Sequence, residues 1–269
     1  MKPLYLNATK ALRVILDGPA LRVRAAGTAD QLFPFQRLSR VVVCGQVDWS
    51  TDALLACAQA GVPISFLQRD GAMRARMCGA SPRHDWLRLD ALLAEFLELG
   101  SGADRYYDWM NAQAHDARRE FVFEANRGPW STEPSMLEQQ LYQRAMRYAK
   151  CADLKRFDGQ VCSLVRVNVE SRLHELKIDW NAADLLVNQI ALVNDLTAVL
   201  VWTVQNAKLT WIKRIHNRQR RQQGILAELD WSHAINFIES QNEQLGRRFD
   251  KLIRSLHIFL LDSVNSHGI

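Results

Sequence analysis

The sequence predicts an α+β protein, with a small β domain over residues 1–82 followed by a larger all-α domain over residues 83–269. Three observations carry this expectation. Before Ser81-Pro82-Arg83, apolar residues alternate with polar ones at period two. From Trp86 onward they recur at helical spacing. No Gly/Ser tract, repeat or low-complexity segment divides the chain otherwise.

The β part reads in order. Leu12, Val14 and Leu16 alternate with Arg13, Ile15 and Asp17, and Leu21, Val23 and Ala25 alternate with Arg22 and Arg24. Asp17-Gly18-Pro19 lies between the two runs, which predicts a hairpin. Val41 to Val47 is an apolar run with a glycine break at Gly45, expected as a buried strand. Ser50 or Thr51 can cap a short helix through Ala60, which Gly61 ends. Val62 to Leu67 returns as a strand. Asp70-Gly71 then turns the chain into Met73–Met77, whose arginines alternate outward.

In the α part, Leu87, Leu89, Leu92, Leu93, Phe96 and Leu97 form one broad face of a helix ending near Gly100. A second helix is expected from Asp104 to about Ala125, and Gly128-Pro129-Trp130 with Pro134 marks a loop. Further helices are expected at 135–151, 158–177, 184–206 and 232–262. The last-but-one contains the most apolar run, Leu185 to Val204. Asn188, Gln189, Asn194 and Asp195 interrupt it, so it reads as a buried helix and not a membrane span.

Bulk composition bounds the function loosely. Hydrophobic residues make up 48% and charged residues 23%, an ordinary soluble balance, and the net charge is +5. The five cysteines contain no CxxC pair, so neither a zinc framework nor a disulfide scaffold is expected, and a cytoplasmic setting is the simplest. No phosphate loop, dinucleotide fingerprint, Ser-His-Asp set or HExxH appears, which removes ATPase, dehydrogenase and zinc-protease readings.

Clustered charge is more informative than the total. Six Lys or Arg lie between Lys208 and Arg221, with His216 among them, and Glu228 and Asp230 follow. Lys213, Arg214, Arg218, Arg220 and Arg221 can each neutralise a phosphate, and Arg247 and Arg248 can extend the patch. Duplex DNA is the expected partner. The plain alternative is a solvated helix surface. Trp211 can stack on a base or pack into the core, and the core is the expectation.

The order of strands, Val41-Val-Val-Cys-Gly-Gln-Val-Asp-Trp-Ser50, the Ala/Leu helix, Gly61-Val-Pro-Ile-Ser-Phe-Leu67 and Asp70-Gly71 resembles the CRISPR spacer-acquisition integrase family over roughly the first 80 residues. In that family a Glu, a His and an Asp of the α domain hold a divalent metal for strand transfer. The nearest matches here are Glu170 in Val169-Glu170-Ser171, His216 in Lys213-Arg214-Ile215-His216, and Glu228 or Asp230 in Ile225-Leu-Ala-Glu-Leu-Asp230. Glu138 is a second candidate for the first position. His174, Glu175, Asp179 and His233 are competing neighbours. The resemblance implies Mg²⁺ or Mn²⁺ on these residues, a metal-dependent DNA endonuclease and integrase, a homodimer through the β domain, and a small second adaptation protein as partner. The sequence departs from the family pattern in three places. Basic residues replace the glycine before His216, Ser171 replaces the glycine after Glu170, and the last element lacks its usual Arg. These departures leave a second reading open: a catalytically silent paralogue that keeps the fold and the affinity for DNA.

Overall fold

The computed structural model describes residues 2–8, 11–77, 89–125, 130–131, 133–176, 178, 190–223, 226 and 228–266, except for the side chains of 90 and 220–223. The chain divides into two compact units, Met1–His84 and Asp85–Ile269.

Among the described residues, the first unit is built from two four-stranded sheets and one α-helix. β1 (Lys2–Asn7), β5 (Leu38–Cys44), β7 (Ile64–Leu67) and β8 (Met73–Met77) form one sheet in the order β1-β5-β7-β8. β1 and β7 both run parallel to β5, while β8 is antiparallel to β7. The second sheet has the order β4-β3-β2-β6, from β2 (Leu12–Asp17), β3 (Ala20–Ala25), β4 (Gln31–Pro34) and β6 (Asp48–Trp49). The β2–β3 hairpin pairs Asp17 with Ala20, and Gly18 takes the left-handed conformation its turn requires, at φ 55°. The helix α1 (Thr51–Gln59) makes the crossover that a parallel neighbour demands. Ser50 caps it by accepting from the Ala53 amide at 3.2 Å. Leu4, Val14, Leu21, Val41, Val43, Cys57 and Ile64 share one core, drawn from both sheets and from α1. The short strands β1, β4 and β6 carry no clear alternation, and sequence reading passes over them.

The second unit is helical: α2 (Leu89–Leu97), α3 (Gly102–Ala125), α4 (Pro134–Ala145), α5 (Cys151–Glu175), α6 (Leu192–Thr203), α7 (Gln205–Gln223) and α8 (Trp231–Asn265). α5 packs against both α6 and α8. Its apolar face of Phe157, Val161, Leu164 and Val165 is almost fully buried. Phe96, Trp109 and Phe259 stack at one end, with centroids 5.3 and 5.8 Å apart.

Three boundaries differ from the expected ones. α4 ends at Ala145 and α5 begins at Cys151, not at 158. Asp158-Gly159 resembles a helix start, but Asp158 is spent on an ion pair with Lys208, and Gly159 is carried inside the helix. The expected helix 184–206 is interrupted at Val204, where α6 stops and α7 begins; its start, 184–189, lies outside the described residues, as does the expected boundary at 82/83. Among the described residues no helix is long and apolar enough to cross a membrane.

Candidate nucleic-acid interface

The basic stretch folds as α7, which touches α5 and the turn before it. Lys208 Nζ donates to Asp158 Oδ1 at 2.8 Å, and the His216 ring meets the Tyr148 ring with centroids 5.7 Å apart. Phe237 of α8 packs on Trp211 of α7 at 5.9 Å and on Phe157 of α5 at 6.3 Å. Trp211 is thus held against the core, as expected of it. Ile212 is fully buried, while Lys213, Arg214 and Arg218 are exposed. This is the division of a helix with one face in the core and the other in solvent.

Tyr148 belongs to the turn between α4 and α5. Tyr142 donates its hydroxyl to the Cys151 carbonyl at 3.0 Å, which fixes the start of α5 beside that turn. The turn is itself basic: Arg144, Arg147, Lys150, Lys155 and Arg156 lie within thirteen positions. Arg144 covers the Trp130 ring at 3.7 Å. Arg147, Lys150 and Lys155 are exposed. The Tyr148–His216 contact brings this second basic stretch onto the first. Among the described residues, Arg147, Lys150, Lys155, Lys213, Arg214 and Arg218 have no carboxylate partner. Sequence reading missed the second stretch, although its density of cations is close to that of the first.

The other expected phosphate contacts are placed differently. Arg248 is paired with Glu120 at 2.7 Å, and Arg247 lies 3.6 Å from Glu243. Sixteen residues of α8 separate Arg247 from Trp231, about 24 Å along the helix, so this pair stands apart from the α5–α7 corner. Arg220 and Arg221 lie on α7, and their side chains are outside the described residues.

The expected metal ligands do not converge. Glu170 is only 4% exposed, deep in α5, and accepts from Arg166 Nε at 3.1 Å. Arg156, which touches Leu229, is fourteen residues away on the same helix, about 21 Å. Leu229 stands between Glu228 and Asp230, so both acids are near the start of α5 and far from Glu170. His216 is also at that end, and its Nδ1 is buried with no hydrogen-bond partner among the described residues. Gln219, three residues past His216, clasps the Glu228 backbone, accepting from its amide at 2.9 Å and donating to its carbonyl at 3.3 Å. His216 and the 228–230 segment therefore do share one corner.

Within that corner the carboxylates of Asp230 and Asp153 are already engaged. Asp230 caps α8: it accepts from the His233 amide at 2.9 Å and the Ser232 hydroxyl at 2.7 Å, with His233 Nδ1 at 2.6 Å. Burial would raise its pKa, but these hydrogen bonds and the His233 imidazole outweigh it and hold the carboxyl below its ordinary value. Asp153, the acid of α5 nearest Tyr148, accepts from Arg156 at 2.6 Å. Glu138 sits on α4 as part of a solvent-facing turn, and Glu228 is exposed. Among the described residues, no three His, Cys, Asp or Glu side chains gather as metal ligands. Mg²⁺ and Mn²⁺ need several oxygens that no cation has already claimed, and Asp153 is already taken by Arg156.

The chain's relatives agree with the architecture. Residues 4–95 match the family "CRISPR associated protein Cas1". No curated protein matches the sequence. Among solved structures, a CAS1 protein from Thermotoga maritima superposes with a TM-score of 0.72 at 12% identity, covering 97% of both chains. A casposase bound to integration product gives 0.67 at 12% identity, covering 97% of this chain and 91% of that one. A TtCas1–DNA complex gives 0.58 at 10% identity, covering 98% and 91%. The chain thus carries the sequence pattern of that family in its first third and shares the fold of these solved structures along its whole length.

Proposed function

We propose that this protein is a DNA-binding subunit of Cas1 type, acting in CRISPR adaptation by holding duplex DNA and not by cutting it. The observation that supports this reading is the Tyr148–His216 contact, which brings two separate basic stretches together. Six exposed cations without carboxylate partners among the described residues suit a phosphate backbone, which is bound through charge and not through sequence. The similarity to a structure solved with DNA supports the choice of polyanion. A homodimer through the β unit and a small second adaptation protein belong to the same reading, by resemblance to the family.

The argument against metal-dependent strand transfer is chemical. Arg166 claims Glu170, Arg156 claims Asp153, and Ser232 with His233 claims Asp230. A divalent ion at this corner would have to displace the Arg156 guanidinium before it could use the Asp153 carboxylate. One observation favours the competing reading of a divergent integrase: the Nδ1 of His216 is buried, without a partner among the described residues, near the exposed Glu228.

An electrophoretic assay with end-labelled duplex DNA separates the two readings. The binding reading predicts a retarded complex in EDTA and in millimolar Mn²⁺ alike, with no cut or joined product, even with a small partner added. Product that forms in Mn²⁺ and vanishes in His216→Ala would establish the integrase.

A further inference from the structure

The corner described above needs something to tie its parts together. The start of α5 and the link between α7 and α8 come from distant parts of the sequence, and both present oxygen atoms there. Arg156 spans them. Its Nη2 donates to Asp153 Oδ1 at 2.6 Å and to the Leu229 carbonyl at 2.9 Å. One cationic group thus joins a carboxylate on one element to a backbone oxygen on another, across seventy-three positions of sequence. A hard divalent ion does the same joining where it occupies a site, binding carboxylate and carbonyl oxygens from separate segments. The guanidinium is planar, permanently charged and rich in donors, so it serves this role without an exchangeable ligand.

The surroundings support a fixed tie. The Asp153 side chain is only 16% exposed, so its charge needs a close partner. Lys208–Asp158 and the Gln219–Glu228 clasp pin the same elements on either side. Arg156 itself is about half exposed, and Lys150 and Lys155 near it in the chain are exposed too.

We infer that Arg156 is a built-in cation: it takes over the bridging that a divalent ion performs, so the corner assembles and keeps its positive charge without metal. This stands apart from the DNA-binding reading, because its first readout is stability and not affinity. Arg156 is here a positioning residue.

The test is thermal unfolding of the full chain in EDTA and in millimolar Mn²⁺, for the wild type, Arg156→Lys, Arg156→Ala and the double variant Asp153→Ala/Arg156→Ala. The wild type is expected to melt at the same temperature in both. Arg156→Ala is expected to melt roughly 3–10 °C lower in EDTA, since it strands a part-buried carboxylate. Mn²⁺ is expected to restore at least half of that loss, because Asp153 and the Leu229 carbonyl become open to an ion. The double variant, lacking the carboxylate, is expected to show no Mn²⁺ response. Arg156→Lys keeps a charge and is expected to fall between the wild type and Arg156→Ala, so the series remains readable if the alanine variant fails to fold. A wild type that is itself stabilised by Mn²⁺, or an Arg156→Ala protein that melts like the wild type or ignores Mn²⁺, overturns the inference.

Discussion

Arg218 and Arg156 carry the same charge and do opposite things with it. Arg218 is exposed on α7 with no carboxylate among the described residues, whereas Arg156 is committed to Asp153 and Leu229. An uncommitted cation adds to DNA binding by releasing a counterion, so Arg218→Ala is expected to lower the slope of log affinity against log salt by roughly 0.9, equally for any DNA sequence. Titrations at three salt concentrations check it. Glu170 shows the limit of reading single residues. A Glu on a helix normally faces solvent, and chain order alone matched this one to a catalytic position. Arg166, four residues earlier, covers it and makes burial tolerable. Glu170→Ala is therefore expected to destabilise the protein by about 1–3 kcal/mol in denaturant unfolding while leaving DNA affinity unchanged. Asp230 also has a structural task. Loss of its cap in Asp230→Ala is expected to cost about 1 kcal/mol. Its carboxyl is held below the ordinary value, so the unfolded state binds the proton more readily. Its contribution is complete above the unfolded value of 3.8 and is lost as pH falls through the lower folded value. Stability measured against pH in the wild type and in Asp230→Ala should converge on the acid side only.

At the scale of elements, the strongest device is a polar ladder between α5 and α8. Asn168 donates to Asn242 at 2.9 Å, Arg172 donates back to Asn168 at 2.9 Å, and the Arg172 guanidinium lies over the Phe249 ring at 5.8 Å. Buried amides admit only one register, so this ladder fixes how the two long helices align. Gly246 makes room for it: a methyl group there would press on the Arg172 guanidinium. Gly246→Ala gains helix propensity but crowds a pinned side chain, and a net loss of about 1–2 kcal/mol is expected in thermal or denaturant unfolding. None of this is visible in the sequence, because Asn168 and Asn242 stand seventy-four positions apart. The elements themselves were largely legible. The β2–β3 hairpin, α1 with its Ser50 cap, α3 and α8 follow from periodicity and turn residues. The start of α5 did not, because Lys150 makes no side-chain cap and a bond from Tyr142 on the preceding helix marks the boundary instead. The break at Val204 was hidden inside one continuous apolar run.

At the scale of the whole molecule, the sequence pattern of roughly the first 80 residues and the helical periodicity that follows were enough to expect a Cas1-like architecture, and the solved structures share that fold along 97% of the chain. The site was half legible. One basic stretch stands out in the sequence, while its neighbour at 144–156 gains meaning only from the Tyr148–His216 contact. Joining two such stretches is a property of the tertiary fold, and it brings together charge that is scattered in the sequence. The most direct measurement is the salt dependence of duplex binding for the wild type and for the triple variant Lys213→Ala/Arg214→Ala/Arg218→Ala, both in EDTA. The account predicts tight binding without metal and a slope that falls by roughly 2.7 in the triple variant. An unchanged slope, or binding that appears only when a divalent ion is added, would contradict it.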